Sequence, residues 1–225
     1  MAKREQDKKI RKESKTVAGT PAPRARRSKV RTAILASGQA LFSKYGIDAI
    51  TVDDIVQAAD VAKGSFYNHF STKAELAHEL STIAREDVER KIAEASADVV
   101  DPALRVARAI ATYAQLAVED PERALFIARL LAQQVSPASP GREGVRKDIC
   151  GGLESGRFAI DTIDASVMLQ SGIVQMLIRY IVIDSGKEDA RSMTEQMILL
   201  GLRGLGLTTQ DAIAIAVASV ADVMA

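Results

Sequence analysis

The sequence predicts an all-α protein: an N-terminal three-helix domain containing a helix-turn-helix, followed by a larger C-terminal helical domain. Three observations carry this. From residue 28 onward, apolar residues recur three and four apart in runs punctuated by proline and glycine. Residues 51–70 hold two short runs of this kind separated by about three residues, the pattern of a helix-turn-helix. Residues 165–184 form a stretch too apolar to be an ordinary surface helix.

The chain opens on a basic arm, residues 1–27. Residues 1–31 contain twelve Lys and Arg against three acids, a surplus of nine; since the whole chain carries +1, the remainder carries −8. A basic end on an acidic body suits an anionic polymer at that end only. Gly19, Pro21 and Pro23 and the lack of an apolar period predict an arm disordered until it meets a partner. Arg24, Arg26 and Arg27 are candidates for phosphate or minor-groove contact, with simple solubilisation as the alternative.

The three-helix domain is placed at residues 28–74. Its first helix is expected from about Ser28 to Lys44, with Val30, Ile34, Leu41, Phe42 and Tyr45 inward, Gly38 admitting a close neighbour and Gly46 ending it. The second helix has Val52, Ile55, Val56 and Ala59 on one face and Thr51 as N-cap. The third turns Phe66 and Phe70 inward and leaves Lys63, Gly64, Ser65, Tyr67, Asn68 and His69 elsewhere. Those polar groups suit phosphates and base edges, and a helix of this size fits the major groove. Thr51, Tyr67, His69 and Lys73 are expected mainly on phosphates, and Lys63, Ser65 and Asn68 nearer base edges.

From Arg31 to Leu76 the chain resembles the DNA-binding domain of the tetracycline-repressor-like (TetR) family of bacterial regulators. The matching residues are Ala33-Ile34-Leu35-Ala36, Leu41-Phe42, Tyr45-Gly46, Thr51-Val52, Asp54-Ile55, Val61 to Phe70 and Ser71-Thr72-Lys73-Ala74-Glu75-Leu76. The resemblance implies a transcription regulator, most often a repressor, whose fourth helix carries ligand binding to the spacing of two reading heads. Two departures stand out. Asp60 replaces a usual glycine and, if the turn needs positive φ, adopts it at a steric cost. Ala62 replaces a usual serine cap, so about 1 kcal/mol of capping and one phosphate contact are missing.

The body is placed at residues 75–225. Ala74 to Ser96 predicts one long helix, with His78 near its start. Asp101-Pro102 and Asp120-Pro121 open two more, through Val118 and Gln134. Ser136 to Gly141 breaks the pattern, and a helix follows over about 142–155. The apolar stretch 165–184 reads as a helix buried nearly all round, with 188–205 as its partner; two such helices from each subunit would make a two-fold four-helix interface. Thr208 or Thr209 caps a last helix through Val223.

An apolar cavity among the helices between Leu76 and Ile183 would hold a small-molecule effector. Tyr113, Phe126, Arg129, Gln133, Gln175, Arg179 and Tyr180, polar or aromatic groups among apolar neighbours, are the candidates to line it. A second reading keeps the fold and the DNA but drops the effector, answering to a protein partner or binding DNA with little sequence preference.

Enzymatic signatures do not occur: there is no nucleophile elbow, phosphate-cradling glycine loop, His-Glu metal helix or nucleotide fingerprint. One cysteine, Cys150, and two histidines, His69 and His78, argue against an internal disulfide, a zinc cluster or a metal cofactor. The N-terminus has no apolar signal core, and 165–184 is too polar at both ends for a membrane span, so the expected compartment is the cytoplasm.

Overall fold

The computed structural model of the chain describes residues 23–133, 136–184 and 187–224, and the basic arm expected over residues 1–27 lies mostly outside them. In order, α1 spans Pro23–Tyr45, α2 Val52–Ala58, α3 Lys63–Tyr67, α4 Lys73–Ala95, α5 Pro102–Glu119, α6 Pro121–Gln133, α7 Glu143–Glu154, α8 Ile163–Ile183, α9 Lys187–Gly204 and α10 Thr209–Val223; a 3-10 turn at Pro140–Arg142 precedes α7. The first three helices pack together at one end, and α5 to α10 form the body, bridged by α4.

Helix α1 begins five residues earlier than expected. Proline has no amide to lose and a φ already near the helical value, so Pro23 is well suited to a first turn. Its inner residues Ile34 and Phe42 are buried, whereas Tyr45, expected inward, is 52% exposed. A Cβ on Gly38 would stand 2.9 Å from the Leu76 side chain, so glycine there lets α4 cross closely. Gly46 exits at φ +86°, a conformation that L side chains rarely adopt.

Caps fix the helix starts. Thr51 and Asp54 form a reciprocal capping box on α2, Thr72 caps α4, Asp101 caps α5 with Pro102 behind it, Thr162 caps α8 and Thr208 caps α10. Arg157 ties the starts of α5 and α10 together, pairing with the cap Asp101 and with Asp211 in the first turn of α10 at 3.1 Å each.

Helix α8 departs from the expectation of burial on all sides. Val167, Ile173, Val174, Leu177, Ile178 and Ile181 are buried, but Met168, Leu169, Met176 and Ile183 are 40%, 44%, 60% and 65% exposed. Leu169, Met176 and Ile183 recur seven apart, which puts them on one side of the helix. On α9, Leu200 is 62% exposed. By length and hydropathy α8 alone among the described helices would pass for a membrane span, yet half of its most apolar window lies inside the bundle.

Candidate nucleic-acid interface and regulatory cavity

The helix-turn-helix is built around two aromatic rings. Phe66 and Phe70 are 0% and 1% exposed, their centroids 5.8 Å apart, and burying each ring stabilises the unit by about 1.5–3 kcal/mol. Arg31 braces the cluster from α1, 5.6 Å above the Phe70 ring and paired with Glu79 on α4. With the rings fixed inward, the rest of α3 faces solvent. Lys63, Gly64, Tyr67 and Asn68 are exposed, and Ser65 and His69 half-buried.

Helix α3 is shorter than the sequence pattern suggested. It ends at Tyr67, with Asn68 as C-cap, because the amides of His69 and Phe70 both bond to the Phe66 carbonyl and close the turn. Gly64 has open space where a Cβ would be, so neither packing nor a positive φ within the chain requires glycine there. Asp60 takes φ +52°, the one non-glycine residue with positive φ among those described, and Ala62 gives α3 no side-chain cap. Both departures from the usual pattern therefore have the local consequences expected of them.

Other polar groups of the face are already engaged. Lys63 pairs with Asp53 at 2.8 Å, and that bond raises its pKa. Both groups are exposed, so the pair is weak and easily exchanged for a phosphate. The Thr51 hydroxyl is held in its capping box, 2.6 Å from Asp54, whose carboxyl it keeps below the usual range. His69 is held below its ordinary pKa by burial first and then by Arg27 and Arg31, so the ring is largely uncharged at neutral pH. Arg27 reaches the carbonyl of Asn68 at 3.3 Å, which brings the basic start of α1 alongside the end of α3.

Lys73 is not placed as expected. Its ammonium donates to the carbonyls of Ile47 and Ile50 at 2.7 and 2.6 Å, with Asp48 at 3.5 Å, and so clamps the loop between α1 and α2. Three donors meeting three carbonyls leave little for a phosphate.

In the body, a cleft of about 340 Å³ lies among α4, α5, α6, α7 and α8. Tyr113, one of the seven candidates, stands in its wall; the other six do not. Phe126 is core at 1% exposure, and Gln133 is exposed at the end of α6. On α8, Gln175 and Tyr180 are half-buried and Arg179 faces outward, none of them toward the cleft. Arg129 turns the opposite way, toward α1, donating to the carbonyls of Ser43 and Lys44 at 2.8 and 3.1 Å. The wall residues that sequence reasoning missed are mainly aliphatic and short, among them Ala93, Ala109 and Gly144, which leave space by being small. A second cleft of about 250 Å³ opens on the other side of Tyr113, lined in part by His78, Val88 and Ile127.

An exposed polar helix seated on two buried rings, joined to a helical body with a cleft, defines a two-part helix-turn-helix protein. Residues 34–80 match the family model described as bacterial regulatory proteins, tetR family. A stretch of 79 residues is 34% identical to the HTH-type transcriptional repressor DhaR of Mycobacterium sp. (strain GP1), covering 35% of this chain and 40% of that repressor's length. Over the whole fold the chain is similar to RolR in complex with resorcinol (TM-score 0.52, 21% identity, 85% of this chain and 95% of that one). It is also similar to a gamma-butyrolactone receptor, an ArpA-like protein (TM-score 0.63, 20% identity, 87% and 99%). Residues 34–80 thus carry a DNA-binding domain of the tetR-family type, and the chain as a whole shares the fold of these solved structures.

Proposed function

We propose that the chain is a cytoplasmic repressor that binds a palindromic operator in double-stranded DNA as a homodimer and is released by a small-molecule effector. The observation that carries this reading is the outward display of Lys63, Ser65, Tyr67 and Asn68 on a helix fixed by Phe66 and Phe70. Lys63, Ser65 and Asn68 read base edges, Thr51, Tyr67 and His69 contact phosphates, and Gly64 lets the backbone come close to them. Lys73 sets the loop that presents Thr51.

Dimerisation is supported by the uncovered apolar side of α8 together with Leu200 of α9. One short helix reads too few base pairs to find a site in a genome, and two held a turn of DNA apart make the affinities multiply. The effector is supported by the cleft and by the fold shared with a resorcinol complex and a gamma-butyrolactone receptor. Selection of bound duplexes from a random pool tests the DNA half. A palindrome should emerge, and Asn68→Ala should relax choice at one position of each half-site. Binding with a steep salt slope but no preferred sequence would sink the operator reading.

A further inference from the structure

We propose that the effector is an uncharged, largely apolar molecule of about the size of a substituted single ring, bearing one oxygen that hydrogen-bonds to Tyr113. This rests on the effector reading above and names the chemistry of that same cleft.

The volume comes first. About 340 Å³ is at the small end for ligand pockets, and most of the wall is aliphatic, from Val106, Ile110, Leu131 and Val174 among others. The charges come second. Arg105, the wall's half-buried cation, is already joined to Asp148 at 2.6 Å. Glu89, Glu143 and Lys147 are exposed at the rim. A charged ligand inside would lose its hydration without gaining a free counter-ion, and burying an ion on those terms is costly.

The polar groups come third. Ser171 spends its proton on the Val167 carbonyl at 2.7 Å, and Gln170 donates its amide nitrogen to the Gly201 carbonyl of α9 at 3.0 Å, its buried Oε1 lying unpartnered beside Gly201 of α9. Tyr113 differs from Ser171 in having a free proton and from Gln170 in standing between two clefts. Its ring packs against the core between the two clefts, and its hydroxyl has no hydrogen-bond partner among the described residues. Burial, with a contribution from Glu89, pushes the phenol up to about 12, so it keeps its proton and can both donate and accept. A phenol open to a mostly apolar cleft reads one alcohol, phenol or carbonyl oxygen and supplies no charge to an ion.

Four probes on one scaffold test this with the full chain: 2-phenylethanol, phenylacetate, 2-phenylethylamine and ethylbenzene, titrated by calorimetry against wild type and Tyr113→Phe. The alcohol should bind at least about tenfold more tightly than either ion, and Tyr113→Phe should weaken it about threefold to tenfold while leaving ethylbenzene unchanged. An ion binding as well as the alcohol, an unaltered Tyr113→Phe affinity, or no binding by any of the four would overturn the proposal. Melting temperatures of the two proteins show that the variant is folded. Binding of both proteins to a selected duplex is measured separately. If the duplex binds and the probes do not, only the ligand class fails; if the duplex fails to bind, the reading of the chain as a DNA-binding repressor fails.

Discussion

Replacing Arg129 with alanine removes a side chain that ties α6 to the end of α1. Ser43 and Lys44 lie in the last turn of α1, where carbonyls have no partner within the helix, and Arg129 of α6 supplies both with donors at 2.8 and 3.1 Å. A bond from a charged donor is worth about 1.5–3 kcal/mol when shielded, and a cation at a helix C-terminus adds a few tenths. The Arg129 side chain is exposed, so solvent screening reduces the total to about 1–2 kcal/mol. That corresponds to roughly 5- to 30-fold in the equilibrium for opening the end of α1. Amide hydrogen exchange is the assay. Residues 43–50 in Arg129→Ala should exchange faster by about that factor, while the α10 amides stay as in wild type. Arg129→Lys, which keeps the charge but loses the planar fork, should fall between the two. Exchange within twofold of wild type in the alanine variant would refute the reasoning, because the clamp would then contribute nothing.

The remaining predictions concern the head and the subunit interface. Asp60→Gly should raise stability by about 0.5 kcal/mol by relieving the left-handed turn, and Asp60→Val should lower it by about 1–2 kcal/mol; a thermal melt that ranks them the other way contradicts the strain. Ala62→Ser should add about 1 kcal/mol by capping α3, read in the same melt, and an unchanged midpoint would show that the free amides are satisfied otherwise. His69 is held below 6.5 in the folded chain, so the unfolded chain takes up a proton first, and stability should fall as pH drops below about 6.5. A DNA phosphate beside the ring would raise its pKa instead, so duplex affinity should tighten over the same window; His69→Gln should flatten both trends, and equal pH profiles in the two proteins would remove His69 from either role. Met176→Glu together with Leu200→Glu should turn a dimer into monomers in sedimentation, with a melt still cooperative; a persistent dimer would place the contact elsewhere.

What could be read from the sequence follows from how local each signal is. The helix-turn-helix was legible because its determinants sit within twenty residues: Thr51 and Asp54 cap, Phe66 and Phe70 pack, and the polar residues between them have nowhere to go but outward. Helix limits in the body were legible for the same reason, since Pro102, Pro121 and Thr208 act on the turn they stand in. The cleft was not. Its wall is drawn from five helices, and what makes it a cleft is the shortness of residues such as Ala93 and Ala109, which look like any helix-forming alanine. Choosing polar or aromatic residues amid apolar ones found Tyr113 but also Arg129, because a charge in such surroundings can as well be reaching across to a neighbouring domain. Lys73 misled for a related reason: its partners lie 23 to 26 residues back along the chain.

Helix α6 lies between the cleft and the end of α1. Its Leu131 forms part of the cleft wall, Ile127 lines the second cleft beside Tyr113, and Arg129, between them in sequence, holds the end of α1. Steps of two residues along a helix turn through about 200°, so the wall and the clamp necessarily face opposite ways on one stiff rod. Arg123 at the start of the same helix is tied to Asp87 of α4 at 3.0 Å. A molecule that fills the cleft and pushes Leu131 by a fraction of an ångström therefore shifts the donors of Arg129 by a similar distance. Hydrogen bonds of 2.8 and 3.1 Å have little tolerance for such a shift. On the proposed reading, linkage requires that whatever free energy a ligand would spend in moving the head off DNA, DNA would spend in expelling the ligand. A variant lacking the clamp should lose both halves of that exchange together.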